Sequence, residues 1–244
     1  MIDGRPMIFH HTAVLIPAHN EQSTVAQVIC QVRALRLPVV VIDDLSHDAT
    51  AQVARDAGAT VLPLPLQLGA WGATQAGIRY AQARGYKTVV TLDADGQHIA
   101  AHIPELLAPI IAGQADVVIG ACPVRGSRAR RIAWQYFRWL TGLKIEDITS
   151  GFRAYNHAAI ETLASAEASL IDYQDVGVLL IMRRRKLRIK EVLVKMQLRH
   201  HGASRVFSSW LVVVRYMLQT TVLCLAQVGA SRPPPARQAA DKHN

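Results

Sequence analysis

The sequence predicts an α/β protein built on a mostly parallel central sheet. Short apolar runs alternate with helical stretches through the first 120 residues, and acids stand at the ends of two of those runs. A chain of 244 residues is also long enough to bury a core without disulfides or metals, which excludes disorder of the whole.

Residues 12–17 (TAVLIP) read as a buried strand, and 21–35 as a helix with Val25, Val28, Ile29 and Val32 on one side. Residues 39–42 (VVVI) form the next strand, stopped by Asp43 and Asp44. Residues 46–50 open a helix that runs to 57, Gly58 stops it, and 60–64 form a third strand. A helix over 72–84 leads to strand 88–92, ended by Asp93 and Asp95; helix 103–112 and strand 116–119 complete the series. Strands joined by helices imply βαβ units with right-handed crossovers, whose ligands gather at the strands' carboxyl ends. Asp43, Asp44, Asp93 and Asp95 fall there.

The second half differs. Residues 125–143 read as a basic loop entering a helix with Trp134, Tyr136, Phe137 and Trp139; 148–155 contain a Ser-Gly-Phe-Arg turn; 165–187 read as helical; and 189–196 alternate like a strand. Residues 206–228 are apolar with one interior charge, Arg215, which leaves 16 uncharged residues up to 231. A bilayer span needs about 20 apolar residues and a central Arg is costly there, so the expectation is an amphipathic helix, on a membrane surface or at a core or dimer contact. The tail from Ser231 is Pro-rich and polar and is expected to be disordered. The expected organisation is a main domain over 1–205, the amphipathic helix over 206–230 and a tail over 231–244.

Half of the residues are hydrophobic and the mean hydropathy is +0.15, which suggests contact with lipid or a partner. The net charge of +9 hides two halves: residues 1–120 hold 7 Lys+Arg against 10 Asp+Glu, net −3, and the rest is +12. Twenty-one of the 27 basic residues are Arg, suited to bidentate phosphate contacts, so the second half is expected to meet an anion: nucleic acid, anionic lipid or a phosphorylated substrate. Cys30, Cys122 and Cys224 are widely spaced, which argues against a disulfide framework or a zinc site and fits a reducing compartment. The opening residues MIDGRPMIFHH lack a long apolar stretch, so no secretory signal is expected.

Asp93 and Asp95, two apart just past a strand, suit a shared divalent cation, which uses one or two protein carboxylates and keeps positions for diphosphate oxygens. Gln97 and His98 follow as further candidates, although His98 reads equally well as a surface loop residue. The ordered blocks PAHNE (17–21), DDLSHDAT (43–50), GAWG (69–72), DADGQH (93–98) and DITSGFR (147–153) together resemble glycosyltransferase family 2, in particular its polyprenyl-phosphate sugar transferases of the dolichyl-phosphate mannosyltransferase type. The likeness covers about residues 12–205.

The resemblance implies a GT-A-type nucleotide-sugar-binding fold and a UDP- or GDP-linked donor. Pro17, Asn20, Glu21, Asp43 and Asp44 would line its base and ribose pocket, with Gly69 and Gly72 allowing close approach of the backbone to the donor and Ala94 also at the donor. An alternative for Asp43 and Asp44 is helix capping. Trp71 departs in bulk from the family's Gly-x-Gly-x-Ala pattern and is expected to alter the donor pocket. Asp93, Asp95 and Gln97 would hold Mg²⁺ or Mn²⁺ against the diphosphate, with Asp95 counted as catalytic.

On the acceptor side, Arg125, Arg128, Arg130, Arg131, Ser150 and Arg153 are expected to clamp a lipid phosphate near a membrane surface. Asp147 and Asp175 are candidate catalytic acids, Asp147 the stronger; for Asp172 and Asp175 the alternative is capping and pairing with Arg183–Arg185. The activity implied is inverting transfer of a sugar to a polyprenyl phosphate at the cytoplasmic membrane face, by a peripheral and self-associating protein. A hydroxyl acceptor and a non-catalytic nucleotide-sugar-binding protein are the alternatives. No nucleic-acid motif accompanies the basic residues, so nucleic acid is not an expected partner.

Overall fold

A computed structural model of the chain describes residues 11–123, 134–136, 138–139, 142, 145–170, 176–197 and 221. These belong, apart from residue 221, to a compact unit spanning 1–203. Seven strands form one sheet: β1 (Thr12–Ala18), β2 (Val39–Asp43), β3 (Thr60–Pro63), β4 (Thr88–Thr91), β5 (Val117–Ala121), β6 (Arg153–Tyr155) and β7 (Ile189–Leu193). Their order is β3-β2-β1-β4-β6-β5-β7. All neighbouring pairs are parallel except those of β6, which runs antiparallel to both β4 and β5.

The helices are α1 (Val25–Ala34), α2 (Thr50–Asp56), α3 (Gly69–Ala83), α4 (Ile103–Ile111), α5 (His157–Ala164) and α6 (Val176–Arg184). Alternation along β1 divides its side chains between two layers. Val14, Ile16 and Ala18 join Val25, Val28, Ile29 and Val32 of α1 and Leu106, Leu107 and Ile110 of α4 in one core cluster. On the other face α3 lies over β1 and β2, with α5 beside it. β2, β4 and β5 are buried along their whole length and β1 at every residue but Pro17, as strands covered on both faces must be.

The expected order of strands and helices through residue 121 is present, with shifted ends. α1 begins at Val25 rather than 21, and the backbone N–H groups of Glu21 and Gln22 donate to Thr50 Oγ1 (2.8 Å) and Asp48 Oδ2 (3.3 Å) across the neighbouring loop. α3 begins at Gly69 rather than 72, because the Asp44 carboxylate accepts the N–H groups of Leu68 (2.6 Å) and Gly69 (2.9 Å). Gly69 enters the helix at φ +74°, a left-handed conformation open to glycine at no steric cost.

The second half needs larger corrections. The expected Ser-Gly-Phe-Arg turn leads directly into β6. The single helix expected over 165–187 is not formed: Ser165 caps the end of α5 with an extended ψ of 159°, a 3₁₀ turn spans Glu167–Leu170, and α6 starts at Val176. α5 was not anticipated, although its signal was present: Asn156 precedes it and its side chain accepts from Ala159 N (3.0 Å). Residues 134–136 and 138–139 are helical, with Trp134 buried and Trp139 exposed. The 206–230 helix and the 231–244 tail lie outside the described residues, except for residue 221, which is helical. Among the described residues no helix is long and apolar enough to cross a membrane.

Asp116 and Arg188 fasten the start of β5 to the start of β7 at the opposite end of the sheet. Arg188 Nη2 donates to Asp116 Oδ1 (2.9 Å), and its Nε and backbone N donate to Oδ2 (3.0 and 2.8 Å). Hydrogen bonds from the Arg188 side chain hold the Asp116 carboxyl at about 2, below its ordinary 3.8. A lowered carboxyl contributes stability that is complete above the ordinary value and fades as pH falls through the lowered one. The melting temperature of Asp116→Asn should therefore trail wild type by a constant amount above about pH 5 and approach it towards pH 2. Acid thermal melts of the two proteins measure this directly.

Candidate active site

The carboxyl ends of β1, β2 and β4 form one rim, and the antiparallel β6 brings a further segment to it. Arg153 pairs with Thr91 at the end of β4 and with Ile119 in β5, so the residues just before β6 emerge where β4 ends. The 93–98 and 147–151 loops therefore meet. Thr91 Oγ1 donates to Gly151 O (2.7 Å), and Gly151 lies directly against the Asp93 carboxylate.

Asp93 is about half exposed, and Asp95 Oδ1 accepts the N–H of Gln97 (3.0 Å), which closes a tight turn at Gly96 with φ +77°. Ala94 between them is buried. The expected set of Asp93, Asp95 and Gln97 thus sits on one compact loop. Two carboxylates and an amide are hard oxygen donors that suit Mg²⁺ or Mn²⁺ and leave room for diphosphate oxygens. Among the described residues no group of three or more His, Cys, Asp and Glu converges as a closed metal cage would require.

His98 is neither a surface residue nor aimed outward. It is buried and stacks on Phe152 with ring centroids 5.2 Å apart, and its Nδ1 accepts the backbone N–H of Asp93 (3.1 Å). Its Nδ1 also lies 3.7 Å from Asp93 Oδ2, an ion pair only for a protonated ring. The backbone bond is the shorter of the two contacts and takes Nδ1 as its acceptor. His98 supports the loop from beneath.

The expected donor residues divide into those that face the rim and those that tie it together. Pro17 is half-buried within β1, paired with Ile42. Asn20, at φ 56°, accepts His47 N with its side-chain oxygen (2.8 Å), and its own N–H donates to Ser46 Oγ (3.0 Å). Asp43 is buried and accepts Ser46 N (3.3 Å). Asp44 accepts the first N–H groups of α3 rather than capping the helix that opens after 46, which was its alternative reading. The Glu21 carboxylate accepts from Thr24 Oγ1 (3.2 Å). Gly72 makes its close approach to Leu68, whose Cβ would lie 2.5 Å from a Cβ at 72.

Trp71, expected to alter the donor pocket, stands in α3. It is buried, and its indole N–H donates to Ala168 O (2.9 Å), on the 3₁₀ turn that follows α5. The bulk fills the α3 layer.

The acceptor-side expectations change most. Arg153 is fully buried and donates from Nε to Ser150 O and from Nη2 to Ile148 O (2.8 Å each), a strut for the 147–151 loop rather than an open phosphate clamp. Ser150 is likewise buried and donates to Gly120 O (2.6 Å). Asp147 is fully buried, with Oδ2 accepting Cys122 N (3.1 Å) and Oδ1 accepting Thr149 Oγ1 (3.3 Å). Arg125, Arg128, Arg130, Arg131, Asp172 and Asp175 lie outside the described residues.

Sequence reasoning missed Glu191. From β7 its carboxylate accepts the N–H groups of Glu146 (2.9 Å) and Asp147 (3.0 Å). Burial pushes this carboxyl above its ordinary value, partly offset by those two hydrogen bonds. A lone Glu in an alternating strand carries no signal that it holds a loop 44 residues away.

Two outcomes follow. A raised carboxyl contributes stability below its ordinary 4.5 that is lost as pH rises through the raised value, so wild type should lose melting temperature relative to Glu191→Gln as the pH is raised from 4.5. Trp71→Phe should cost about 1–3 kcal/mol in denaturant unfolding through the orphaned Ala168 carbonyl, with nucleotide binding unchanged in calorimetry.

Comparison with known proteins gives the family and the fold. Residues 13–167 match the family model "Glycosyl transferase family 2". The chain is 31% identical over 170 residues to polyprenol monophosphomannose synthase of Mycolicibacterium smegmatis, covering 62% of this chain and 64% of that protein. It is 31% identical over 198 residues to undecaprenyl-phosphate mannosyltransferase of Micrococcus luteus, covering 74% and 79%. Among solved structures, glucosyl-3-phosphoglycerate synthase from Mycobacterium tuberculosis, in complex with Mn²⁺, UDP and phosphoglyceric acid, superposes with a TM-score of 0.70 at 21% identity, covering 95% of this chain and 86% of that one. That likeness concerns the GT-A-type fold. The chain is a glycosyltransferase that belongs to glycosyl transferase family 2.

Proposed function

We propose that the protein moves a sugar from a UDP- or GDP-linked donor to a polyprenyl phosphate, with inversion and with Mg²⁺ or Mn²⁺, at the cytoplasmic face of a membrane. The observation that carries this is the Asp93–Asp95 loop at the end of β4, within the family-matched region of a chain whose relatives act on polyprenyl phosphates. In this reading a phosphate oxygen attacks the anomeric carbon, the bond from that carbon to the diphosphate breaks, and the nucleoside diphosphate leaves. Asp93, Asp95 and Gln97 would hold the divalent cation, which would supply charge neutralisation for the leaving group.

The phosphate acceptor fits the fate of Asp147. A hydroxyl nucleophile needs a general base, whereas a phosphate is already anionic. Asp147 is fully buried and already accepts from Cys122 N and Thr149 Oγ1, so its carboxylate is occupied with holding the loop. Asp93, Asp95 and Gln97 are proposed as the metal and diphosphate side, and the 17–21, 43–50 and 67–69 loops as the nucleoside side. The Arg residues of 125–131 are proposed to meet the acceptor phosphate, on the basis of their charge. The main domain over 1–205 would carry the chemistry and the 206–230 helix the membrane or dimer contact, with 231–244 as a tail.

The test is release of UDP or GDP from candidate nucleotide sugars in the presence of undecaprenyl phosphate and Mn²⁺. Wild type should release nucleoside diphosphate and label the lipid. Asp95→Asn should lower the rate by about 100-fold or more, because metal charge stabilisation is worth several kcal/mol and each 1.4 kcal/mol is tenfold. Absence of release with every donor, or undiminished release in Asp95→Asn, would refute the proposal.

A further inference from the structure

We infer that Gly151 is a positioning residue for Asp93: the lack of a side chain at 151 sets where the Asp93 carboxylate stands. The inference rests on the reading of Asp93 as a metal-side carboxylate. A Cβ on residue 151 would fall 2.7 Å from Asp93 Oδ1, 3.0 Å from Oδ2 and 3.1 Å from Cγ. Separations below 3.0 Å are essentially never seen for real Cβ atoms, so one side of the contact would have to move.

The loop is the side that is held. Gly151 O accepts from Thr91 Oγ1 at 2.7 Å. Its neighbour Ser150 donates from Oγ to Gly120 O at 2.6 Å, and the buried Arg153 donates to Ser150 O and Ile148 O at 2.8 Å each. Breaking any of these would strand buried polar groups. The Asp93 carboxylate, by contrast, is the far end of a side chain that turns about two bonds and is about half exposed. Residue 151 is not in the left-handed region, so its backbone conformation does not by itself demand glycine. The demand comes from the carboxylate.

Gly151→Ala should therefore fold, keep the loop and displace the Asp93 carboxylate. Mg²⁺ and Mn²⁺ sites need well-placed oxygens, and losing the support of a ligand typically costs 10–100-fold in metal affinity. The SGFR block would then act on the metal side of the site, by fixing a carboxylate.

The experiment is a double-mutant cycle read by Mn²⁺ titration in the presence of UDP or GDP, with free Mn²⁺ followed by electron paramagnetic resonance. Gly151→Ala should weaken Mn²⁺ binding about 10–100-fold, with its metal-free melting temperature close to that of wild type. On an Asp93→Asn background the same substitution should change Mn²⁺ affinity by less than about twofold. Wild-type affinity in Gly151→Ala, an equal loss on both backgrounds, or a much lower metal-free melting temperature would each overturn the inference, the last because it would show that the loop had moved. If Asp93→Asn alone leaves Mn²⁺ affinity unchanged, the metal reading of Asp93 itself fails, and the inference falls with it.

Discussion

Because β6 runs antiparallel between β4 and β5, the residues that precede it reach the same rim as the residues that follow β4. In an all-parallel sheet they would emerge at the opposite end. This one reversal places Gly151 against Asp93 and Asp147 against Cys122. The strand has only three residues, so pairing on both edges is not enough to hold it. The fully buried Arg153 adds its guanidinium to the preceding loop, and Tyr155 closes the other end of the strand in the core.

Burying a guanidinium is costly unless its donors are satisfied. Here they meet the carbonyls of Ile148 and Ser150, backbone groups that a tight loop would otherwise leave without partners. The same economy recurs on the donor side. Asp44 satisfies the first N–H groups of α3, Asn20 bridges to the loop after β2, and Asp48 accepts Thr50 N at the start of α2. Polar side chains that resemble ligand contacts in one dimension are largely spent on the loops themselves, while Asp93 stands half exposed on the rim.

The first half of the fold was legible because its strands are continuous apolar runs and its helices carry an apolar face at 3.6-residue spacing, as in Val25, Val28, Ile29 and Val32 of α1. The position of the Asp93–Asp95 loop followed from the same pattern. β6 was not legible: Arg-Ala-Tyr has neither length nor apolar continuity, and its burial depends on hydrogen bonds contributed by a loop. The direction of Trp71 was also hidden, since its partner is a carbonyl 97 residues away on a 3₁₀ turn that itself was read as helix. Family motifs pointed to segments, yet which of their residues are spent on holding the loops is set by tertiary contacts. Arg153, Ser150 and Asp147 carry that lesson, each expected at the acceptor and each buried in support of the loop.

The central claim is that the rim formed by Asp93 and Asp95 binds a nucleoside diphosphate through a divalent cation. Titration calorimetry of UDP and GDP with the wild-type protein, in Mn²⁺ and again in chelator, tests it most directly. The account predicts tight binding of one nucleotide in Mn²⁺ and its loss, by about tenfold or more, in chelator. Equal affinity with and without the cation, or binding of neither nucleotide, would contradict it.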